Sequence, residues 1–135
     1  MATLRARISY LVLALGTIGL GLFVHQGGGG LGPIWRDGLG DALWAAMMSW
    51  WFGLVFPGAR LWVRTAAALG ACWGVEFSQL IHGPVIDAVR ATTPGRLVLG
   101  TDFDPRDLGA YGLGVVAAAA LEAAGIRMSS KRGNA

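Results

Sequence analysis

Charge is scarce in this chain. Of its 135 residues only 14% are Asp, Glu, Lys or Arg, while 54% are hydrophobic and the mean hydropathy is +0.54. Soluble domains carry about 25% charged residues, and a soluble protein of this size has little interior in which to hide so much apolar surface. A single integral membrane domain over residues 1–135 is the expectation. Cysteine is almost absent. Cys72 stands alone, which excludes an intramolecular disulfide and any zinc-type cysteine spacing. In an apolar helix it reads as a packed thiol. Lysine is rare and arginine carries the formal charge of +3. No basic run is interleaved with aromatics, so no nucleic-acid partner is expected. The arginines sit at the ends of apolar stretches, where they orient a membrane protein. No Ser-His-Asp order and no nucleophile elbow occurs. Gly27-Gly28-Gly29-Gly30 follows no strand and precedes no Gly-Lys-Ser/Thr, so it reads as a flexible loop and not a phosphate cradle. Asp102, Asp104 and Asp107 lack the later glycine and glutamate of a calcium loop. His25 and His82 fall on different loops. No metal and no cofactor is expected.

What is present is four apolar segments, at about 8–24, 39–56, 61–80 and 108–125. Each approaches the roughly 20 residues with which a helix crosses hydrocarbon, and helices satisfy the backbone there. The fold class expected is all-α, a four-transmembrane-helix bundle. The first segment has Arg5 and Arg7 before it but no small-residue cleavage pattern after it, so it reads as a retained helix and not a signal peptide. Pro57-Gly58 is a tight connection. The connection from Ile81 to Arg106 is long, outward and broken by Pro84 and Pro94. Within it, Val85 to Arg90 is a candidate interfacial helix, and Leu97-Val98-Leu99 a candidate to pack back on the bundle.

Four helices put both termini and the Pro57 turn on one side. That side holds Arg5, Arg7, Arg60, Arg64, Arg127, Lys131 and Arg132. The other holds Arg36, Arg90, Arg96 and Arg106, diluted by six aspartates. The positive-inside rule then leaves the polar island facing outward and places both termini in the cytoplasm. Arg64 is expected to snorkel to that surface, and Glu122 to pair with Arg127. Trp35 and Trp62 fit the two interfacial belts, whereas Trp50 and Trp51 are expected to face lipid or a partner. Ala66, Gly70 and Gly74 form one small-residue stripe and Ala110, Gly114 and Ala118 another. Both are expected to be helix-packing faces.

One polar island interrupts the apolar pattern, from Glu76-Phe77-Ser78-Gln79-Leu80 to Asp107-Leu108-Gly109-Ala110-Tyr111. It holds most of the acidic residues beside Arg90, Arg96 and Arg106. Gln79 shares a helix face with Glu76. A glutamate at this depth needs a partner, and the loop arginines are the candidates. Asp107 opens the fourth helix, where a carboxylate suits the free amides and the dipole. Asp107, Tyr111, Gly114 and Ala118 lie along one face. If that face meets Glu76 and Gln79, a carboxylate pair arises that either performs acid–base work or ties the loop down as an ion-pair network.

The run Trp73-Gly74-Val75-Glu76-Phe77-Ser78-Gln79-Leu80, then Arg90, Gly95-Arg96-Leu97-Val98-Leu99-Gly100, Phe103 and Asp107-Leu108-Gly109-Ala110-Tyr111 resembles a small bacterial membrane family, domain of unknown function 2809. The order is also similar to the wider VanZ-like group, whose namesake is associated with teicoplanin resistance. That group usually has an asparagine one turn after the helix-opening aspartate, where this chain has Tyr111. The resemblance implies a four-helix membrane fold and a shared site around Glu76, Gln79, Arg90 and Asp107, without an established activity.

Three functions stay open on these residues. The first is binding of membrane lipid, as an anionic envelope lipid or lipid-linked cell-wall intermediate. Arg90 and Arg96 would contact phosphate, with Gln79 and Tyr111 beside them. The second is acid–base or proton-relay work by Glu76 and Asp107. The third is a structural or accessory subunit, either homo-oligomeric or bound to a membrane partner.

Overall fold

The computed structural model describes residues 2–27 and 30–133, with side chains over 4–27 and 30–125. Gly28 and Gly29 of the glycine loop lie outside the described residues, as do the side chains of Arg127, Lys131 and Arg132. Among the described residues the chain is all-helical, with six helices and no strand. They are α1 (Ala2–His25), α2 (Pro33–Val55), α3 (Leu61–Ser78), α4 (Pro84–Ala91), α5 (Thr93–Leu99) and α6 (Pro105–Gly133). Two stretches, Leu4–His25 and Pro105–Gly125, are long and apolar enough to cross a membrane by length and composition.

Proline starts helices here more than it stops them. Pro33, Pro84 and Pro105 each stand first in a helix, where the missing N–H costs nothing and the fixed φ is already helical. The expected long loop between the third and fourth apolar segments is therefore mostly helix. Pro84 begins α4. Pro94 sits in the first turn of α5, behind Thr92, whose hydroxyl accepts from the Gly95 N–H at 3.1 Å. Gly100 then ends α5 at φ +66°, in the left-handed region that favours glycine. For the same reason α2 and α6 begin at Pro33 and Pro105, earlier than the apolar runs at 39 and 108.

α2 is the centre of the bundle. It packs against α1, α3 and α6, and α3 packs against α6. At one point α2 and α6 come close enough that a side chain at Gly114 would strike the Ala42 carbonyl. The Ala110-Gly114-Ala118 stripe thus works as a packing face. The Ala66-Gly70-Gly74 stripe does not. It is exposed, with open space beside Gly70 and Gly74. The face that α3 buries is Arg64, Ala68, Cys72 and Glu76.

The interior is small and the surface is oily. One apolar cluster joins Ala45, Ala68, Cys72, Tyr111 and Val115, and another joins Ala14, Trp50 and Ala118. Trp50 is only 3% exposed and donates its indole N–H to Thr17 Oγ1 at 3.1 Å, so it faces the core and neither lipid nor a partner. Trp35 and Trp62 are 76% and 66% exposed. Leu4, Val12, Phe23, Val55, Phe56, Leu113, Val116 and Leu121 are also exposed. Apolar exposure on this scale suits contact with lipid or a partner.

Candidate functional site

Among the described residues the largest fully buried side chain is a glutamate. Glu76, in the last turn of α3, is 0% exposed. Its Oε2 accepts from Gln79 Nε2 at 3.1 Å and from the Tyr111 hydroxyl at 3.2 Å. Its Oε1 accepts the backbone N–H of Asp104 at 2.8 Å. Three donors from α3, α6 and the turn before α6 therefore converge on one carboxylate. Burial of a charged group is tolerated when its acceptors are filled in this way. No arginine takes part. The helical spacing of Glu76 and Gln79 puts both on the buried face, and Gly100 makes room for Gln79, whose amide nitrogen a side chain at 100 would strike.

Asp104 continues the chain of contacts. Its carboxylate Oδ1 accepts the Arg106 N–H at 2.9 Å, and its carbonyl accepts the Asp107 N–H at 3.0 Å. Asp104 is thus the capping residue of α6, the role expected of Asp107. Asp107, third in the helix and still in its first turn, is left to other work. Its carboxyl lies close to that of Asp41 on α2. Asp107 and Asp104 also line a cleft of about 640 Å³ between the N-terminal turns of α2 and α6. Its apolar walls include Ile34, Trp35, Leu39 and Leu113, and its charged rim is Asp37, Asp104, Asp107 and Arg106. Glu76, Gln79 and Tyr111 are not among the lining residues.

Arg90 meets a different partner from the one expected. Its Nη1 donates to the Ile81 carbonyl at 2.8 Å and its Nη2 to the Ser78 carbonyl at 2.6 Å. It is a C-terminal cap for α3, a position where a cation meets both unpaired carbonyls and the negative end of the dipole. Asp87 Oδ1 stands 3.6 Å from it. Arg96 is exposed on α5 and, among the described residues, forms no ion pair. The structure thus joins Glu76, Gln79 and Tyr111, sets Asp107 beside them on the cleft, and keeps Arg90 and Arg96 apart from both. Gln79 Oε1 and Arg90 Nε are buried without a protein partner.

A second polar group lies at the opposite end of the bundle. Arg64 donates to both oxygens of Glu122 and, from Nη1, to the Tyr10 hydroxyl at 2.8 Å; Tyr10 donates in turn to Glu122 Oε1 at 2.7 Å. The guanidinium also lies over the Tyr10 ring, 5.2 Å from its centroid. Arg64 is buried and does not snorkel, because α6 brings Glu122 to it. Gly53 of α2 allows this approach, since a Cβ there would sit 2.6 Å from the Tyr10 ring.

Sequence reasoning missed Asp41 and Asp104 as members of the site. The signal for Asp104 was Asp-Pro, a capping residue followed by proline at the first helical position. The signal for Asp41 was its place next to Ala42, opposite the small stripe of α6. Among the described residues no three His, Cys, Asp or Glu side chains are grouped to hold a metal.

Residues 31–115 match the family described as Protein of unknown function (DUF2809), and the chain belongs to that family. The matched stretch takes in α2 to α5 and the start of α6, and so the whole Glu76 cluster and the cleft. No solved structure matches the chain.

Proposed function

We propose that this is a multi-pass protein of the bacterial cytoplasmic membrane that binds an amphiphilic envelope lipid, or a lipid-linked precursor, in the cleft between α2 and α6. α1, α2, α3 and α6 are the spanning helices, and α4 and α5 lie at the interface. The cleft carries the proposal: apolar walls open onto a charged rim, as an acyl chain ending in a polar headgroup requires. Trp35 at its mouth suits an interfacial depth. The excess of Arg5, Arg7 and Arg60 near α1 and the Pro57 turn supports cytoplasmic termini, which leaves the cleft facing outward. Arg64 drops out of that count, since it is buried against Glu122. The similarity of the Glu76 to Tyr111 stretch to the VanZ-like group fits an envelope role.

The test is native mass spectrometry of the protein released from membranes. One lipid should stay bound. Gly38→Phe or Gly109→Phe should displace it, because both glycines line the cleft and a Cβ at either meets nothing within 4 Å. Retention of lipid by both variants would refute the site.

One observation favours a structural role for part of the cluster. Glu76 is closed off by its three donors and does not line the cleft between α2 and α6, which suits a clasp between α3 and α6. Acid–base work by Glu76 with Asp107 draws no support from that enclosure.

A further inference from the structure

We infer that the cleft selects a zwitterionic headgroup, a primary ammonium beside a phosphate, over a purely anionic one. This rests on the lipid-binding reading above and adds the headgroup's chemistry. The argument is charge complementarity at the rim. Asp37, Asp104 and Asp107 face the cleft with Arg106 the one cation among the lining residues. Asp41 does not line the cleft, but its carboxyl lies close to that of Asp107. Arg36 offsets Asp37 only loosely, at 3.9 Å and on the exposed side. The arginines that would have suited a polyanion are elsewhere: Arg90 caps α3, and Arg96 projects from α5.

An anionic headgroup would meet like charge on most of the rim, which costs affinity. A headgroup with both charges has a partner for each. Its phosphate meets the Arg106 guanidinium, and its ammonium meets Asp107 and Asp104. A primary ammonium donates three hydrogen bonds to such carboxylates; a quaternary one donates none. The order of preference is therefore ethanolamine, then choline, then glycerol headgroups.

The experiment uses the full chain in nanodiscs containing equal parts of dioleoyl phosphatidylethanolamine, phosphatidylcholine and phosphatidylglycerol, followed by native mass spectrometry. The expected result is retention of the ethanolamine lipid over the glycerol lipid by about tenfold, the size of a 1.4 kcal/mol difference. Asp107→Asn should collapse that preference while a lipid is still bound. Asp37→Asn, a change at an exposed position, should weaken the preference even if the first variant folds poorly. Equal retention, or preference for the glycerol lipid, overturns the inference but leaves lipid binding standing. No retained lipid in any nanodisc overturns lipid binding itself. A thermal shift with soluble phosphoethanolamine equal to that given by the lipid would assign the site to a free amine and overturn the lipid as ligand.

Discussion

The two buried polar clusters differ in how each balances its charge. At the end where α1 begins, Arg64 and Glu122 neutralise each other and Tyr10 bridges them. At the other end, Glu76 has no cation and is held by an amide, a phenol and a backbone N–H. The first arrangement is self-contained, and no described cleft opens onto it. The second leaves Asp41 and Asp107 beside it, with Asp107 opening onto the cleft. Tyr10 and Glu122 also fall outside the stretch that matches the family, whereas every member of the Glu76 cluster falls within it. Compensated charge serves to fasten helices, and a surplus of one sign beside a cleft is what a ligand can use.

The largest effect should come from breaking the compensated pair. Arg64→Ala leaves the mostly buried Glu122 with Tyr10 but without its cation, so unfolding in detergent should show a loss of about 3 kcal/mol. An Arg64→Met, Glu122→Leu double variant should recover most of it, because removing both charges also removes their desolvation penalty. A double variant as unstable as the single one would mean that the pair contributes more than fastening.

Glu76→Gln comes next. It weakens three hydrogen bonds to a charged acceptor and should cost about 2 kcal/mol, without displacing lipid from the cleft. Loss of lipid with stability unchanged would move Glu76 from clasp to ligand contact and erase the contrast between the clusters. Tyr111→Phe removes one of the three donors and should cost about 1 kcal/mol by the same assay. Arg96→Ala is the smallest change. It should shift stability by no more than about 0.5 kcal/mol and leave lipid retention intact, whereas a large loss of lipid would restore Arg96 as a phosphate contact.

Much of the frame was legible in the sequence. The apolar runs located the four long helices, and Gly114 between Ala110 and Ala118 marked the close approach to α2. Helical spacing put Glu76 with Gln79 on one face and Asp107 with Tyr111 on another, but left open whether the faces meet. The partners expected for Glu76 were the loop arginines; the fold supplies Gln79 and Tyr111 instead. The errors have one physical origin: the sequence shows which groups need partners but not which partners the fold supplies. Arg90 was matched to carboxylates by charge, yet the carbonyls that end α3 are nearer. Arg64 was assigned to the surface because Glu76, on the same helix, is too far along it to be its partner, and α6 supplies an acid from 58 residues away. Trp50 was read as facing lipid or a partner because it lies mid-helix in an apolar run, where the packing of α1 and α6 decides which side is inside. The Ala66-Gly70-Gly74 stripe was read as a packing face by its spacing alone, while a polar-bearing face of the same helix turned inward.

The most direct test of the division between clasp and cleft is cysteine accessibility in membranes. In a Cys72→Ser background, Asp107→Cys and Glu76→Cys would each be treated with a small membrane-impermeant thiol reagent from the outer side. Position 107 should label, and labelling should slow when lipid fills the cleft; position 76 should stay unlabelled until the protein unfolds. Equal labelling at the two positions, or labelling at 76 alone, would contradict the account.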